Sequence, residues 1–200
     1  MTTTPLVRRP GRPRSAEVEA RILEATLDRL AEDGIAGLSV EAVAATAGVG
    51  KTTIYRRWPN KDALILDAFA SLDEPLPPVE EDRPARDELV ELLDLIRRRT
   101  TRSRSGRLMH CMLGEKERHP RLAAAYEARV IEPRRDRLRQ AIRRGMAREE
   151  IRSDLDVEMV LHLLTGPMLA RTMLGPPARM VPADWAEQIV DTVLAGIAPS

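Results

Sequence analysis

Two hundred residues are enough chain for one medium domain or two small ones, with a hydrophobic core that needs no disulfide bonds. The formal net charge is +1, so the chain is neither an acidic tail protein nor a uniformly basic nucleic-acid coat, and any basic surface must be local. Aromatic residues make up only 2% of the chain, which argues against a β-sandwich or barrel. Because alanine, leucine, arginine and glutamate dominate, we predict an all-α fold, and the helical segments predicted below number about nine.

The single cysteine, Cys111, excludes an intrachain disulfide and a zinc site built on several cysteines. A chain without disulfides is typical of a reducing compartment. The N-terminal residues lack the apolar run that is typical of a signal peptide. The most apolar later stretch, residues 159–170, is too short and too polar to span a bilayer. We therefore expect a cytoplasmic protein with no membrane segment.

Residues 1–14 are predicted to form a flexible basic arm, because arginines stand there among prolines and a glycine without any acid. From Ser15, a candidate N-cap, apolar residues recur at helical spacing until Gly34, which can end the helix. The first helix is therefore expected to bury one apolar stripe.

Two short helices are predicted next, and they meet at a tight glycine turn. Ser39 can cap the first of them, and Gly48 can adopt the positive φ that the turn requires. The second spans about two turns from Lys51 and ends before Pro59. With the small Ala44 at the crossing, this is the pattern of a helix-turn-helix, whose second helix can enter a DNA major groove. The residues expected to face outward are Thr52, Thr53, Arg56 and Arg57.

Spacing alone leaves this function open, since alanine-rich helices around a glycine turn also occur in bundles that bind nothing. Residues 38–64, LSVEAVAATAGVGKTTIYRRWPNKDAL, resemble the DNA-binding domain of the tetracycline-repressor (TetR) family of bacterial regulators. The resemblance spans residues 15–70. Gly50 and Thr52 depart from the family pattern, which often has Ser and Gly there, so the operator preference is expected to differ. The matching features are the Gly48-Val49 turn, Thr53, Tyr55, the Trp58-Pro59 pair and Lys61.

The resemblance implies a set of DNA contacts. Tyr55 and Lys61 correspond to phosphate contacts, and Ser39 and Val40 lie where the preceding helix touches the DNA backbone. Arginine can bond guanine bidentately and a threonine methyl suits thymine, which fits residues that approach bases. Those residues are Lys51, Thr52, Thr53 and Arg56. Arg12 and Arg14 of the arm either stay solvated or contact phosphates or the adjacent minor groove.

A domain boundary is predicted at the Pro-rich acidic segment that follows residue 73. Asn60 can cap a fourth helix that runs into this break. We therefore expect a DNA-binding domain at residues 15–73. Residues 74–200 are expected to form a second, helical domain for ligand binding and dimerisation.

The second domain reads as longer helices, one of which carries the apolar stripe Leu89 to Ile96. Pro133 and the Gly166-Pro167 pair lie inside two of these helices and predict kinks. The arginine-rich residues 97–107 are expected to form a solvated connector. Further helices are predicted near 105–118, 120–145, 155–174 and 183–197.

Seven of the eight methionines lie between residues 109 and 180. Methionine is soft and adaptable, so these residues indicate either an apolar cavity for a hydrophobic effector or ordinary core filling. The candidate ligand-binding residues are Met109, Met112, Leu113, Tyr126, Met159, Leu163, Met168 and Met173.

One helix-turn-helix contacts few bases, so specific binding usually requires two copies roughly 34–36 Å apart. The apolar stripes of residues 155–174 and 183–197 need a cover, and in the TetR family the corresponding pair forms a four-helix bundle with its symmetry mate. We therefore expect a homodimer through these segments. The resemblance implies a transcriptional regulator, expected to be a repressor that releases a palindromic operator when an apolar small molecule binds.

Signals for catalysis or metal binding are weak. The sequence GVGKTT lacks the first glycine of a phosphate-binding loop, because Ala45 stands at that position. Cys111, Glu115 and His119 fall at helical spacing, but a buried thiol beside surface polar groups is favoured over a metal site. His162 is expected in the core or at an interface. We predict no enzyme, no cofactor and no metal. The alternative is a small all-α binding protein or enzyme that uses the C-terminal cavity.

Overall fold

The computed structural model describes residues 13–101, 108, 112, 114–174 and 181–197, of which 13, 14, 100, 101, 172–174 and 197 are described by backbone alone. Throughout these ranges the regular structure is helical, with no strand, which confirms the all-α prediction. The chain divides into two compact units, residues up to Ala68 and residues from Phe69 onward.

The helices are numbered in chain order, and the boundary between the units lies within α4. They are α1 (Pro13–Gly37), α2 (Val40–Ala47), α3 (Lys51–Tyr55), α4 (Lys61–Ala70), α5 (Ala85–Thr101), α6 (Pro120–Tyr126), α7 (Glu132–Ala147), α8 (Val157–Leu174) and α9 (Trp185–Ile197). A π-helical turn, Glu127–Ile131, joins α6 to α7.

The first helix begins earlier than the sequence predicted. It starts at Pro13, so the assignment of Ser15 as its cap and of residues 13 and 14 to the arm is wrong. Proline is well tolerated in the first turn, where a backbone N–H has no partner within the helix. Gly34 has φ 68° and ψ −178°, a conformation that only glycine adopts readily, and the regular helix breaks there as predicted.

The core of the N-terminal unit is assembled from all four of its helices. Ile22, Leu27 and Leu30 of α1 are almost fully buried, which confirms the apolar stripe. The other large buried side chains of this unit are Ile35, Leu38, Val43, Ile54, Trp58, Leu64 and Ile65.

The second unit has its own core, in which α5, α7, α8 and α9 pack together. Its large buried aliphatic residues are Leu89, Leu92, Leu93, Leu138, Ile142, Ile151, Leu161, Leu164, Met168 and Ile189. A Cβ atom added at Gly145 would lie 2.8 Å from both the Cβ of Ala85 and the Cδ1 of Ile151. The absence of a side chain at Gly145 therefore lets α7 approach the first residue of α5.

The helix predicted over residues 120–145 is interrupted before Pro133, which lies in the first turn of α7. Proline has no N–H to donate to the carbonyl four residues earlier, that of Arg129, so regular α-helix bonding stops there. The π-helical turn occupies this interruption, which agrees with the predicted kink. Pro167 lies inside α8, which continues past it to Leu174.

Helix α5 includes the first arginines of residues 97–107, so the expectation of a solvated connector is wrong for Arg97, Arg98 and Arg99. Asp94, one turn earlier, lies 2.6 Å from the Nε of Arg97 and 2.5 Å from the Nη1 of Arg98. Such pairs stabilise a helix, which explains why α5 continues to Thr101. Residues 102–107 lie outside the described residues.

A buried carboxylate joins two helices of the second unit. Glu88 of α5 is 2% exposed, and its oxygens lie 2.5 Å from the Nη1 of Arg137 and 2.5 Å from the Nη2 of Arg144, both on α7. Arg137 also donates from Nη2 to the carbonyl of Pro78 at 3.1 Å. Because a buried charge needs such partners, the cluster holds α5, α7 and the segment before α5 together.

Candidate nucleic-acid interface

The two short helices are joined as a helix-turn-helix requires. The Oγ of Ser39 accepts a hydrogen bond from the N–H of Ala42 at 3.3 Å and caps α2. At the other end Gly48 has φ 64° and ψ 41°, the left-handed conformation, and its N–H closes the helix on Ala44 and Ala45. The predicted cap and the predicted glycine turn are both confirmed.

Helix α3 is held by one buried residue and by the chain that follows it. Ile54 is 1% exposed, and its carbonyl accepts from the N–H groups of Arg57 and Trp58, each at 2.9 Å. Trp58 is 3% exposed and donates from its indole N–H to the carboxylate of Asp67 at 2.7 Å. This bond connects Trp58, three residues after α3, to α4, and so fixes the C-terminal end of α3.

The outer face of α3 carries most of the predicted DNA contacts. Lys51, Thr52, Tyr55 and Arg56 are exposed, Tyr55 to 49%, and Thr53 is half-buried. These side chains combine two cations with hydroxyl groups that can donate to phosphate or base atoms. The structure therefore presents them together on one accessible surface.

The ammonium of Lys51 is 2.5 Å from the Oε1 of Glu41 on α2, and both side chains are about half exposed. Hydrogen bonding from Lys51, from the backbone N–H of Glu41 and from Ser39 lowers the pKa of the Glu41 carboxyl to about 2. The pair therefore stays ionised at neutral pH. It holds the Lys51 side chain beside the first turn of α2.

Arg57 does not face outward with Arg56, so that part of the prediction is wrong. Its Nη2 donates to the Oγ of Ser15 at 2.9 Å, and its Nε lies 3.9 Å from the carboxylate of Glu19. The guanidinium thus reaches back to the start of α1. Its partners lie about forty residues earlier in the chain, beyond the reach of any local pattern.

Two other predicted contacts have partners inside the unit. The Lys61 ammonium donates to the carbonyls of Ile35 and Leu38, at 3.1 and 3.4 Å. The Val40 side chain is 5% exposed, which leaves its backbone in the first turn of α2 as the group that can meet a phosphate. Asn60 accepts from the N–H of Ala63 at 2.9 Å and caps α4, as predicted.

The predicted arm contacts cannot be placed. Arg12 lies outside the described residues, and Arg14 is described by its backbone alone, within α1.

The predicted ligand-binding residues are not all brought together. Met109 and Leu113 lie outside the described residues, as does the side chain of Met173. Met112, Tyr126 and Met168 are buried, at 3%, 6% and 2% exposure. Met159 and Leu163 are instead exposed on α8, at 57% and 47%.

Met159 and Leu163 form an exposed apolar patch on α8. Met159 and Leu163 are one helical turn apart, and Leu169, 38% exposed, lies further along the same helix. His162 is exposed on this helix as well, so the prediction that it lies in the core is wrong. Its alternative location, at an interface, stays a prediction. Such a patch on a protein surface is typical of an interaction site.

Sequence reasoning missed a polar cluster at the start of the second unit. Asp73 pairs with the Nη1 of Arg99 on α5, and its Oδ2 lies 3.1 Å from the Nη2 of Arg134 on α7. Arg99 also donates from Nη2 to the hydroxyl of Tyr126 at 2.7 Å. The side chains of Asp73, Arg99 and Arg134 are 12%, 11% and 18% exposed. Burial raises the pKa of Asp73 although both arginines oppose the rise.

No helix in the described ranges is long and apolar enough to cross a membrane. Within the same ranges no three His, Cys, Asp or Glu side chains are placed to hold a metal ion. Glu115 and His119, of the candidate metal set, are 3.7 Å apart, and Cys111 lies outside the described residues.

A helix-turn-helix unit with an exposed second helix, followed by a separate helical unit, defines a helix-turn-helix DNA-binding protein. Residues 22–68 match the family described as bacterial regulatory proteins, tetR family. Residues 80–193 match the tetracyclin repressor-like C-terminal domain. The chain belongs to the TetR family of transcriptional regulators, which confirms the resemblance seen in residues 38–64.

Relatives agree with this assignment. The uncharacterized HTH-type transcriptional regulator YdeS of Bacillus subtilis is 32% identical, over 82% of this chain and 82% of that protein. The DNA-binding transcriptional repressor TetR of Mycobacteroides abscessus is 28% identical, over 79% and 83%. The solved TetR family transcription regulator SCO0332 has a TM-score of 0.65 and 30% identity, and the match covers 92% of this chain and 100% of that one.

Proposed function

We propose that this TetR-family regulator is a repressor that binds a palindromic operator as a homodimer and is released from it by an apolar small molecule. The observation that carries the proposal is that α3 buries Ile54 and exposes Lys51, Thr52 and Tyr55, together with Arg56, the residue that follows the helix. A repressor, rather than an activator, agrees with the relative from Mycobacteroides abscessus, which is a DNA-binding transcriptional repressor. The proposed compartment is the cytoplasm.

Base readout is assigned to the outward residues of α3. Arg56 is the residue that can bond guanine O6 and N7 bidentately, while Thr52 and Thr53 can contact thymine methyl groups. Lys51 and Tyr55 flank these residues and can contact phosphates or bases. The hydroxyl of Ser39, at the N-terminal end of α2, can contact the DNA backbone. For Lys61, the two carbonyl bonds leave one N–H for a phosphate.

Dimerisation is assigned to the apolar patch of α8 together with α9. Met159 and Leu163 lose their exposure if a second copy packs on them, and a two-fold interface of this kind matches a palindromic operator. Two recognition helices roughly 34 Å apart can then read successive major grooves.

Effector binding is assigned to the second domain, residues 74–200, and DNA binding to residues 15–73. Of the candidate ligand-binding residues, Met112, Tyr126 and Met168 are buried, so an effector must separate side chains that now pack together. A ligand that prefers such an opened state weakens DNA binding by its differential affinity for the two states, typically about 1–3 kcal/mol.

The test is fluorescence anisotropy of the full chain on DNA from its own upstream region, with random competitor DNA and at several salt concentrations. We expect a specific complex that exceeds nonspecific binding about 10³-fold or more. A DNA carrying one half-site should bind much more weakly than one carrying two. Equal binding to random DNA would contradict the proposal.

Arg56→Ala should lower the specific affinity about 5- to 150-fold, which corresponds to about 1–3 kcal/mol of base discrimination. The matched control is Arg121→Ala, since Arg121 is an exposed arginine of α6 and its loss changes the net charge equally. If Arg56→Ala binds the operator as tightly as the control, the assignment of base readout to α3 is wrong.

A further inference from the structure

A pair of nearly buried arginines in the second unit holds a carboxylate that the chain itself supplies. Arg99 on α5 and Arg134 on α7 approach different oxygens of Asp73, and Arg99 also donates to the hydroxyl of Tyr126. The second Nη of Arg134 donates to the carbonyl of Val130 at 2.6 Å. Both guanidinium groups are therefore oriented by groups other than Asp73.

We propose that Arg99 and Arg134 form a carboxylate-binding site, and that the carboxylate of an effector displaces Asp73 from it. This inference rests on the proposed release by an effector. It assigns a carboxylate group to that otherwise apolar molecule. Three further observations support it.

The first observation is the balance of charges. Leu72, Leu95 and four charged residues line a cleft beside the site. Glu74, the other acid that lines this cleft, lies 3.2 Å from the Nε of Arg98. Once Asp73 leaves, two guanidinium groups face the cleft and Glu74 keeps its own partner. An incoming carboxylate therefore meets an excess of positive charge.

The second observation is that Asp73 gains little from its position. Burial raises the pKa of its carboxyl above the ordinary value, although Arg99 and Arg134 lower it. Desolvation thus outweighs the attraction of the two arginines. A ligand that adds apolar contacts of its own can then compete with this internal carboxylate.

The third observation is where Asp73 lies in the chain. It follows the last residue of α4, Ala70, by three residues, and α4 begins with Lys61 in the N-terminal unit. The cleft itself has a volume of about 10 Å³, which holds no more than one water molecule. A ligand that takes the place of Asp73 must move the segment around Asp73, and that segment is joined to α4 directly through the backbone. Displacement of Asp73 thus links ligand binding to the DNA-binding unit.

The experiment asks whether acetate restores the Tm of the Asp73→Ala variant. Thermal unfolding of the full chain is measured at constant ionic strength. Loss of Asp73 leaves two guanidinium groups without their carboxylate, so Tm should fall by about 5–10 °C. Sodium acetate should restore at least half of this loss in a saturable way. Chloride and acetamide, which lack a carboxylate, should not.

Two control variants define the site. Asp73→Ala combined with Arg134→Gln should show no rescue, because one guanidinium is gone. Asp154→Ala removes an exposed carboxylate that pairs with Arg152, and acetate should not alter its Tm. A failure of acetate to rescue Asp73→Ala, or an equal effect on Asp154→Ala, would overturn the site. Stronger rescue by inorganic phosphate than by acetate would overturn the assignment to carboxylates.

If Asp73→Ala does not fold, Asp73→Asn replaces it. The neutral amide keeps the shape of the side chain and gives up the arginines more readily, so acetate should stabilise this variant more than the wild type. Equal stabilisation of the two proteins would overturn the proposal.

The link to DNA has a separate readout. Acetate restores the charge balance of Asp73→Ala but not the covalent connection to α4, so operator affinity should stay about 5-fold or more below that of the wild type. Full recovery of operator affinity would overturn the link. If the wild type binds no operator at all, the proposed function fails, while the acetate titration still decides the carboxylate site.

Discussion

The cores of the two units are built from different kinds of contact. In the N-terminal unit the only described buried polar side chain is Thr26, whose hydroxyl donates to the Ile22 carbonyl one turn earlier at 2.7 Å. In the second unit Glu88 and Arg137 are buried as charged groups, and Asp73 is nearly so. The first core is therefore closed by apolar packing, whereas the second adds ion pairs between helices to its apolar packing.

This difference matters for what each unit can do. Apolar side chains in a core are closely packed and are not stabilised by contact with water. Such a core therefore suits a surface that must keep one shape on DNA. An ion pair can exchange one partner for another of the same charge, at little net cost when the site is already formed. Among the described residues, the second unit therefore contains buried charged groups and the N-terminal unit contains none.

Glu88→Gln should give the largest change in stability. The substitution leaves Arg137 and Arg144 without a carboxylate in a buried site, which costs about 3–5 kcal/mol of the free energy of unfolding. Urea denaturation measures it. Glu187→Gln is the control, because Glu187 pairs with Arg86 on the surface and its loss should have little measurable effect. Equal effects of the two variants would show that burial of the charged cluster does not matter.

Gly145→Ala tests how closely α7 packs on α5. Its new methyl group would lie 2.8 Å from Ala85 and Ile151, so we expect a loss of about 1–3 kcal/mol by the same denaturation. Gly196→Ala adds a methyl group where no atom lies within 4 Å. It should be neutral or stabilising by up to about 1 kcal/mol. Equal stability of the two variants would show that α7 and α5 are not closely packed at Gly145.

Ser39→Ala probes the local contacts of the N-terminal unit. Without the hydroxyl, the N–H of Ala42 loses its cap, and unfolding should become easier by about 1 kcal/mol. Ser153→Ala, at an exposed turn residue, should change nothing measurable. A Ser39→Ala protein as stable as this control would mean that α2 does not depend on its cap.

The smallest effect is expected at Glu41. Since its folded pKa of about 2 is below the ordinary 4.5, its pairing with Lys51 contributes to stability above about pH 4.5 and is lost as the pH falls toward 2. Lys51→Gln should return the pKa of Glu41 toward 4.5, as measured by NMR titration of its carboxyl. Arg121→Gln should leave it at about 2. An unchanged pKa in Lys51→Gln would show that Lys51 is not the main cause.

Much of the helix-turn-helix could be predicted because its contacts are local. The Ser39 and Asn60 caps and the Gly48 turn each join atoms within four residues of one another. Arg57 was assigned wrongly, because its partner Ser15 is forty-two residues away and no spacing rule reaches that far.

Less could be predicted in the second unit. Met159, Leu163 and Met168 lie on one apolar helix, and the pattern did not indicate which of them other helices would cover. Packing against α5 and α7 buries Met168 and leaves the other two exposed. The Asp73 site escaped prediction for the same reason, since its two arginines come from different helices.

By itself, the sequence determined the helical class, the glycine turn, the exposed residues Thr52 and Arg56, and the family. Tertiary structure alone decided where Arg57, Arg99 and Arg134 bind. The physical reason is range. Caps, turns and helical periodicity depend on neighbours within about one turn, whereas the partner of a buried charge depends on which distant helices pack together.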